Sequence, residues 1–163
     1  MNIKIKILTI LTLLSIFFSC STQKTVSTNY SYSTECLGVE LDGSQTLKAW
    51  GNGRNREDAV EQAKKNAVRD VIFKGIRDGK QDCNQKPLVF EVNAQEKYED
   101  YFNKFFADGG GEYRNFISLK DERIFDKIKR DKQRTSESVT HGVIVRVLRS
   151  ELKQKLIQDG IIK

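Results

Sequence analysis

The stretch from Thr46 to Gly75, TLKAWGNGRNREDAVEQAKKNAVRDVIFKG, constrains the fold more than any other part of the chain. Leu47, Ala49 and Gly51 alternate with Thr46, Lys48 and Trp50, the pattern of a strand with one buried face. Gly51-Asn52-Gly53 closes that run and a helical pattern follows at once. Ala59, Ala63, Ala67 and Val71 recur at i+4 with Val60 beside them, drawing one apolar stripe along a helix. Most of the stripe is alanine, so the helix can approach its support closely, and Gly51 on the inner face of the strand gives it room. Asn55 suits the cap, with acids in the first turn. Arg56, Glu57, Glu61, Lys64, Lys65 and Arg69 fall mainly on the opposite, solvated face. The helix is expected to end near Gly75 or Gly79.

The remaining elements read less sharply. A short strand is expected at Gly38–Leu41, and another at Leu88–Val92, apolar enough to be central. Asn93 with Glu96 three residues on resembles a capping box, and Tyr98, Tyr101, Phe102 and Phe105 then form an aromatic helical stripe. At that spacing the stripe reads as core, with Phe106 off the main line. Tyr113–Leu119, Arg123–Lys132 and Ser138–Leu148 read as strands, the last two as a hairpin. Val143, Val145 and Val147 share one face of the last strand. Ser150 is expected to cap a final helix that turns Leu152, Leu156 and Ile157 inward and stops at Gly160. The order β–α–β–α–β–β–β–α predicts an α+β fold, a mostly antiparallel sheet with helices packed on one face.

The first residues set the compartment. Lys4 and Lys6 precede an uncharged apolar run, Ile7 to Phe18, that ends at Ser19-Cys20. At about a dozen residues it falls short of the roughly 20 needed to span a bilayer, and it fits a secretory leader. The cysteine directly behind it resembles a bacterial lipoprotein signal, in which the leader is cut before the cysteine and lipid is attached to it. Phe17 and Phe18 depart from the usual leucine and small residue. The plain alternative is a secretory leader with a chance cysteine. The division that follows is a signal peptide over 1–19, a flexible tether over 20–34 from lipidated Cys20, and one domain over 35–163. By resemblance to lipoprotein sorting, Ser21 implies the outer membrane, and the lack of an acidic run leaves the domain facing the periplasm. Membrane contact through the N-terminal lipid is the first expected partnership.

Removing the leader takes two of 28 basic residues and none of 22 acids, leaving a net charge of +4. That mild excess permits contact with anionic lipid or phosphate, and nucleic acid is not an expected partner. Cys36 and Cys83 remain, and an exported chain can join them or carry them as two free thiols.

LKAWGNGRNREDAVEQAKKNAVRDVIFKG together with GVIVRVLRSELKQKLIQDGIIK resembles the N-terminal domain of the flagellar assembly protein T and the small outer-membrane lipoproteins grouped with it. The matching positions are Ala49, Gly51, Gly53, Ala59, Ala63, Ala67, Val143, Val145, Val147 and Leu152. The resemblance covers about half of the mature chain, and residues 78–135 take no part in it. It implies an envelope location and an accessory or assembly role without a shared enzymatic activity.

Few side chains suggest chemistry. Gly51-Asn52-Gly53-Arg54-Asn55-Arg56 lies where a dinucleotide fingerprint would, but its third position, Arg56, cannot pack as glycine does. A tight turn is the simpler reading. A second reading puts a phosphate or carboxylate on the helix start, with Gly53, Arg54 and Arg56 as the candidate anion site. His141, the one histidine, has no partner at ligand spacing, so no metal site and no cofactor is expected. Lys120 to Arg134 is basic, and Arg123, Lys127, Lys129 and Arg130 form the candidate partner patch. Its plain reading is an edge kept from aggregating by lysines. The expected function is a non-enzymatic, lipid-anchored accessory or assembly adaptor that recruits an envelope protein. The alternative is a periplasmic binding module for a small anion at Gly53–Arg56.

Overall fold

A computed structural model describes residues 32–120, 132–134 and 139–163, the segment 132–134 as backbone only. Among the described residues six strands form one sheet: β1 (Glu35–Val39), β2 (Gln45–Gly53), β3 (Asp78–Gly79), β4 (Ile117–Leu119), β5 (Lys132–Arg134) and β6 (Val139–Val147). Their order is β3-β1-β2-β6-β4, with β5 also on β6. β4 pairs with residues 145–147 of β6 and β5 with 139–141, so the two short strands follow one another along the same edge. Every pairing is antiparallel except β1 with β3. The helices are α1 (Arg56–Arg69), α2 (Ala94–Lys97), α3 (Glu99–Phe105) and α4 (Arg149–Gln158). This is the α+β fold that the element order predicts.

The register of β2 on β6 sets the core. Leu47 lies opposite Val145, Ala49 opposite Val143 and Gln45 opposite Val147, so one face carries an apolar row that Gln45 alone interrupts at its end. Leu47, Ala49, Val145 and Val147 are fully buried there, as are Ala59, Ala63, Ala67, Val68 and Val71 above them. A Cβ on Gly51 would sit 2.2 Å from the Ala59 carbonyl oxygen and 2.3 Å from the Ala63 nitrogen. Backbone thus rests on backbone, which is why alanine fills the stripe. Gly53 is equally confined, with 2.4 Å from such a Cβ to the Ala59 nitrogen.

Past Arg69 the helix widens into a π-turn, Asp70–Lys74, which ends at Gly75 with φ +76°. The Gly75 N–H reaches the Asp70 carbonyl at 2.7 Å, and the carbonyls of Val71 and Ile72 accept from the N–H groups of Leu88 and Val89. A π-turn shifts the helical ladder by one residue, and two carbonyls here serve the neighbouring segment. Leu88–Val92 is therefore not a strand: Leu88 and Val89 are tied to the π-turn, while Phe90 and Val92 are 71% and 96% exposed.

Other expectations are corrected. The first strand is Glu35–Val39 rather than Gly38–Leu41, and Ile157 is exposed rather than turned inward. Asn93 makes no side-chain cap, and the aromatic helix is broken at Tyr98 into α2 and α3. Tyr113–Phe116 lies in a 3-10 turn (Glu112–Phe116), so β4 is only three residues long. Ser150 does not cap α4; β6 runs into the helix so directly that the cap position is Leu148 and Ser150 falls in the first turn. The stop of α4 is as expected. Gly160 has φ +72°, the Ile161 N–H bonds the Leu156 carbonyl at 2.9 Å, and Ile161 is buried behind it.

Candidate functional site

The start of α1 is satisfied from within. The Asn55 side chain accepts from the Asp58 N–H at 2.8 Å, and the Asp58 carboxylate receives Arg54 at 3.3 Å. Arg54 is otherwise in solvent, and Arg56 is exposed with a polar contact of its own. Gly53, Arg54 and Arg56 are brought together in sequence order, but the cap and two acids, Glu57 and Asp58, hold the space nearest the helix end.

Cys36 and Cys83 are joined as a disulfide, with Cα atoms 5.9 Å apart. The bond fastens the loop after β3 to β1. Leu88 and Val89 fasten the other end of that loop to the π-turn, so the backbone between them is held at both ends. Arg123, Lys127, Lys129 and Arg130 lie outside the described residues. Of the aromatic stripe, Phe102, Phe105 and Phe106 are buried. Phe106 is packed edge-on to Phe105 at 5.0 Å between centroids and lies under the Arg69 guanidinium at 5.1 Å. His141 lies in β6 opposite Gly51. Among the described residues no group of three or more His, Cys, Asp or Glu is placed to hold a metal ion.

Several polar groups are tuned by their surroundings. Burial pushes the Tyr101 hydroxyl well above its usual range, and its 2.6 Å hydrogen bond to Asp159 adds to this. At Glu61 burial acts upward, yet hydrogen bonds from Lys64 and Tyr113 and the nearby Arg114 outweigh it and leave the carboxyl below its usual value. Glu61 with Tyr113 and Arg114 braces α1 against the 3-10 turn, and Tyr101 with Asp159 ties α3 to the end of α4. On the outer face of the sheet Trp50 stacks on Tyr32 at 4.4 Å with the Lys48 ammonium 4.7 Å above its ring.

The most distinctive polar arrangement is one that sequence reasoning missed. A cleft of about 380 Å³ opens between the start of β2, the loop 82–90 and the start of α4. Gln45, at the end of the core-facing row of β2, lines it and is 1% exposed. Its Oε1 is buried without a hydrogen-bond partner, as is Nη1 of Arg149, which also lines the cleft. An unmet buried polar group costs about 1–3 kcal/mol, so two in the lining of one cleft are an uncommon pair. Arg149 donates from Nη2 to the Lys86 carbonyl at 2.7 Å, and burial lowers its pKa from the usual guanidinium value. Lys86 and Lys153 bring two more cations and Asp82 one acid; Val39, Pro87, Leu88 and Phe90 form an apolar side. Alternation alone would have placed Gln45 among the core-facing residues, where a glutamine is out of character. Arg149 gives no such signal, because its neighbours come from the loop 82–90.

No family model, curated protein or solved structure matches this chain.

Proposed function

We propose that this chain is an exported, lipid-anchored, non-enzymatic domain at the outer membrane, facing the periplasm, that serves as an accessory or assembly adaptor. The observation that carries the reading is the joining of Cys36 to Cys83, because disulfides persist in oxidising compartments such as the periplasm. It agrees with the leader that precedes Cys20. The lipid on Cys20 holds the domain at the membrane, and confinement raises its effective concentration toward an envelope partner, so that a weak surface suffices. The basic run containing Arg123, Lys127, Lys129 and Arg130 is the proposed partner surface. Anion binding at Gly53–Arg56 is not carried forward, because Asn55 and Asp58 already engage that helix start.

Fractionation of cells tests the anchor. Wild-type protein is expected in the outer membrane and the Cys20→Ala form outside it. A Cys20→Ala protein that stays in the membrane would overturn the lipid anchor. Crosslinking in the same cells is expected to capture one envelope assembly, lost when Lys127 and Lys129 are both changed to Glu; capture that survives this change would remove the basic run from the reading.

A further inference from the structure

The cleft beside α4 has the features of a built site. Its walls are fixed: the disulfide Cys36–Cys83 holds one end of the loop, and the Leu88 and Val89 hydrogen bonds to Val71 and Ile72 hold the other. Its base is the N-terminus of a ten-residue helix that has no side-chain cap. The first intrahelical bond runs from the Leu152 N–H to the Leu148 carbonyl, so the preceding amides of the first turn point their positive end outward. Independently, Gln45 is buried on the cleft lining with Oε1 unpartnered, and Arg149, which also lines the cleft, has Nη1 buried and unpartnered.

Those two atoms ask for different things. Arg149 Nη1 and the first-turn amides are donors and suit an anionic oxygen. Gln45 Oε1 is an acceptor and suits a donor N–H or O–H. Phosphate near neutral pH keeps an O–H donor, but an inorganic ion has no use for the apolar side formed by Pro87, Leu88 and Phe90. A volume of about 380 Å³ is also far larger than such an ion, and lies within the range of small-molecule pockets.

We propose that this cleft binds a small carboxylate that carries its own N–H donor, such as an N-acylated amino acid or the last residue of a short peptide. The carboxylate takes Arg149 Nη1 and the amides at the start of α4, with Lys86 and Lys153 adding long-range attraction. The N–H donates to Gln45 Oε1. The side chain of the ligand lies against Leu88 and Pro87. The site is separate from the α1 start, and it stands or falls independently of the lipid anchor.

The test is titration of the ¹⁵N-labelled full-length chain in detergent micelles, read from amide resonances. N-acetyl-L-alanine is expected to shift Arg149, Ser150, Glu151 and the Gln45 side-chain amide. N-acetyl-L-alaninamide, which keeps the N–H but lacks the carboxylate, and propionate, which has the carboxylate without the N–H, are each expected to bind on the order of tenfold more weakly. Acetyl-Ala-Ala separates the two sources. Binding tighter than N-acetyl-L-alanine marks a peptide end, and weaker binding a free acylated amino acid; both uphold the site. Gln45→Met is expected to abolish the advantage of N-acetyl-L-alanine over propionate. No shift at these positions with any probe would overturn the proposal. So would inorganic phosphate binding more tightly than N-acetyl-L-alanine, or equal affinity for all three alanine-sized probes. The comparison between probes uses the unaltered protein, so a variant that fails to fold does not blunt it.

Discussion

At the scale of single residues, Gly51 decides whether α1 can seat on the sheet. Its missing side chain lets the Ala59 carbonyl and the Ala63 amide occupy the place of a Cβ. The neighbours are backbone atoms, so no rotamer change can make room. Gly51→Ala is expected to lift α1 from β2 and to destabilise by about 3 kcal/mol or more, beyond the usual range for overpacking against movable side chains. Urea unfolding followed by Trp50 fluorescence measures this directly; a loss under about 1 kcal/mol would mean that α1 is not firmly seated on β2. This position was legible in the sequence, because a glycine in phase with Leu47 and Ala49 faces an alanine stripe. Gln45 shares that phase and its burial was equally legible. Its unmet oxygen was not, because that depends on Arg149, which is 104 residues away along the chain.

At the scale of elements, β2, α1 and β6 follow their patterns closely, since each has a strong period and a partner with the same period, while α4 buries Leu152 and Leu156 but leaves Ile157 exposed. The segment 80–111 does not. Leu88 and Val89 look like a strand because they are buried and apolar, but their N–H groups meet a π-turn rather than a neighbouring strand. Nothing local announces a π-turn over Asp70–Lys74, because its residues are ordinary helix and core residues. The disulfide makes this irregular segment stay in place. Closing a loop whose ends are 47 positions apart in sequence is worth about 4 kcal/mol by the loop-entropy account. The double change Cys36→Ala and Cys83→Ala is expected to cost about 2–4 kcal/mol in urea unfolding. Its local signature is faster amide exchange within 80–86, while the Leu88 and Val89 amides stay protected by Val71 and Ile72. Equal loss of protection at all these amides would show that the two fastenings act as one.

At the scale of the whole molecule, the acid side of the stability curve reports how the elements are tied together by carboxylates. Hydrogen bonds from Lys120 and Thr46 hold Glu40 low, those from Ser44 hold Asp42 low, and Lys65 does the same for Asp108. Glu61 is also low, despite its partial burial, and it links α1 to Tyr113 and Arg114 in the 3-10 turn. The folded protein therefore binds fewer protons than the unfolded chain wherever the unfolded carboxylates titrate, near 4.5 for Glu and 3.8 for Asp. Stability from these groups is fully present above that range and is lost as pH falls through the lower folded values. Tm is expected to be level above about pH 5 and to fall steadily toward about pH 2. Growing positive charge also disfavours the folded state in acid, so the slope alone does not isolate the ion pairs. Glu61→Gln separates the two effects. It should lower Tm at neutral pH, where Glu61 is charged and bridged, and converge on the wild type in acid, where Glu61 is protonated in both states. Parallel curves over the whole range would mean that Glu61 contributes packing rather than charge, and that α1 and the 3-10 turn are held by the aromatic core of Phe105, Phe106 and Tyr113 alone.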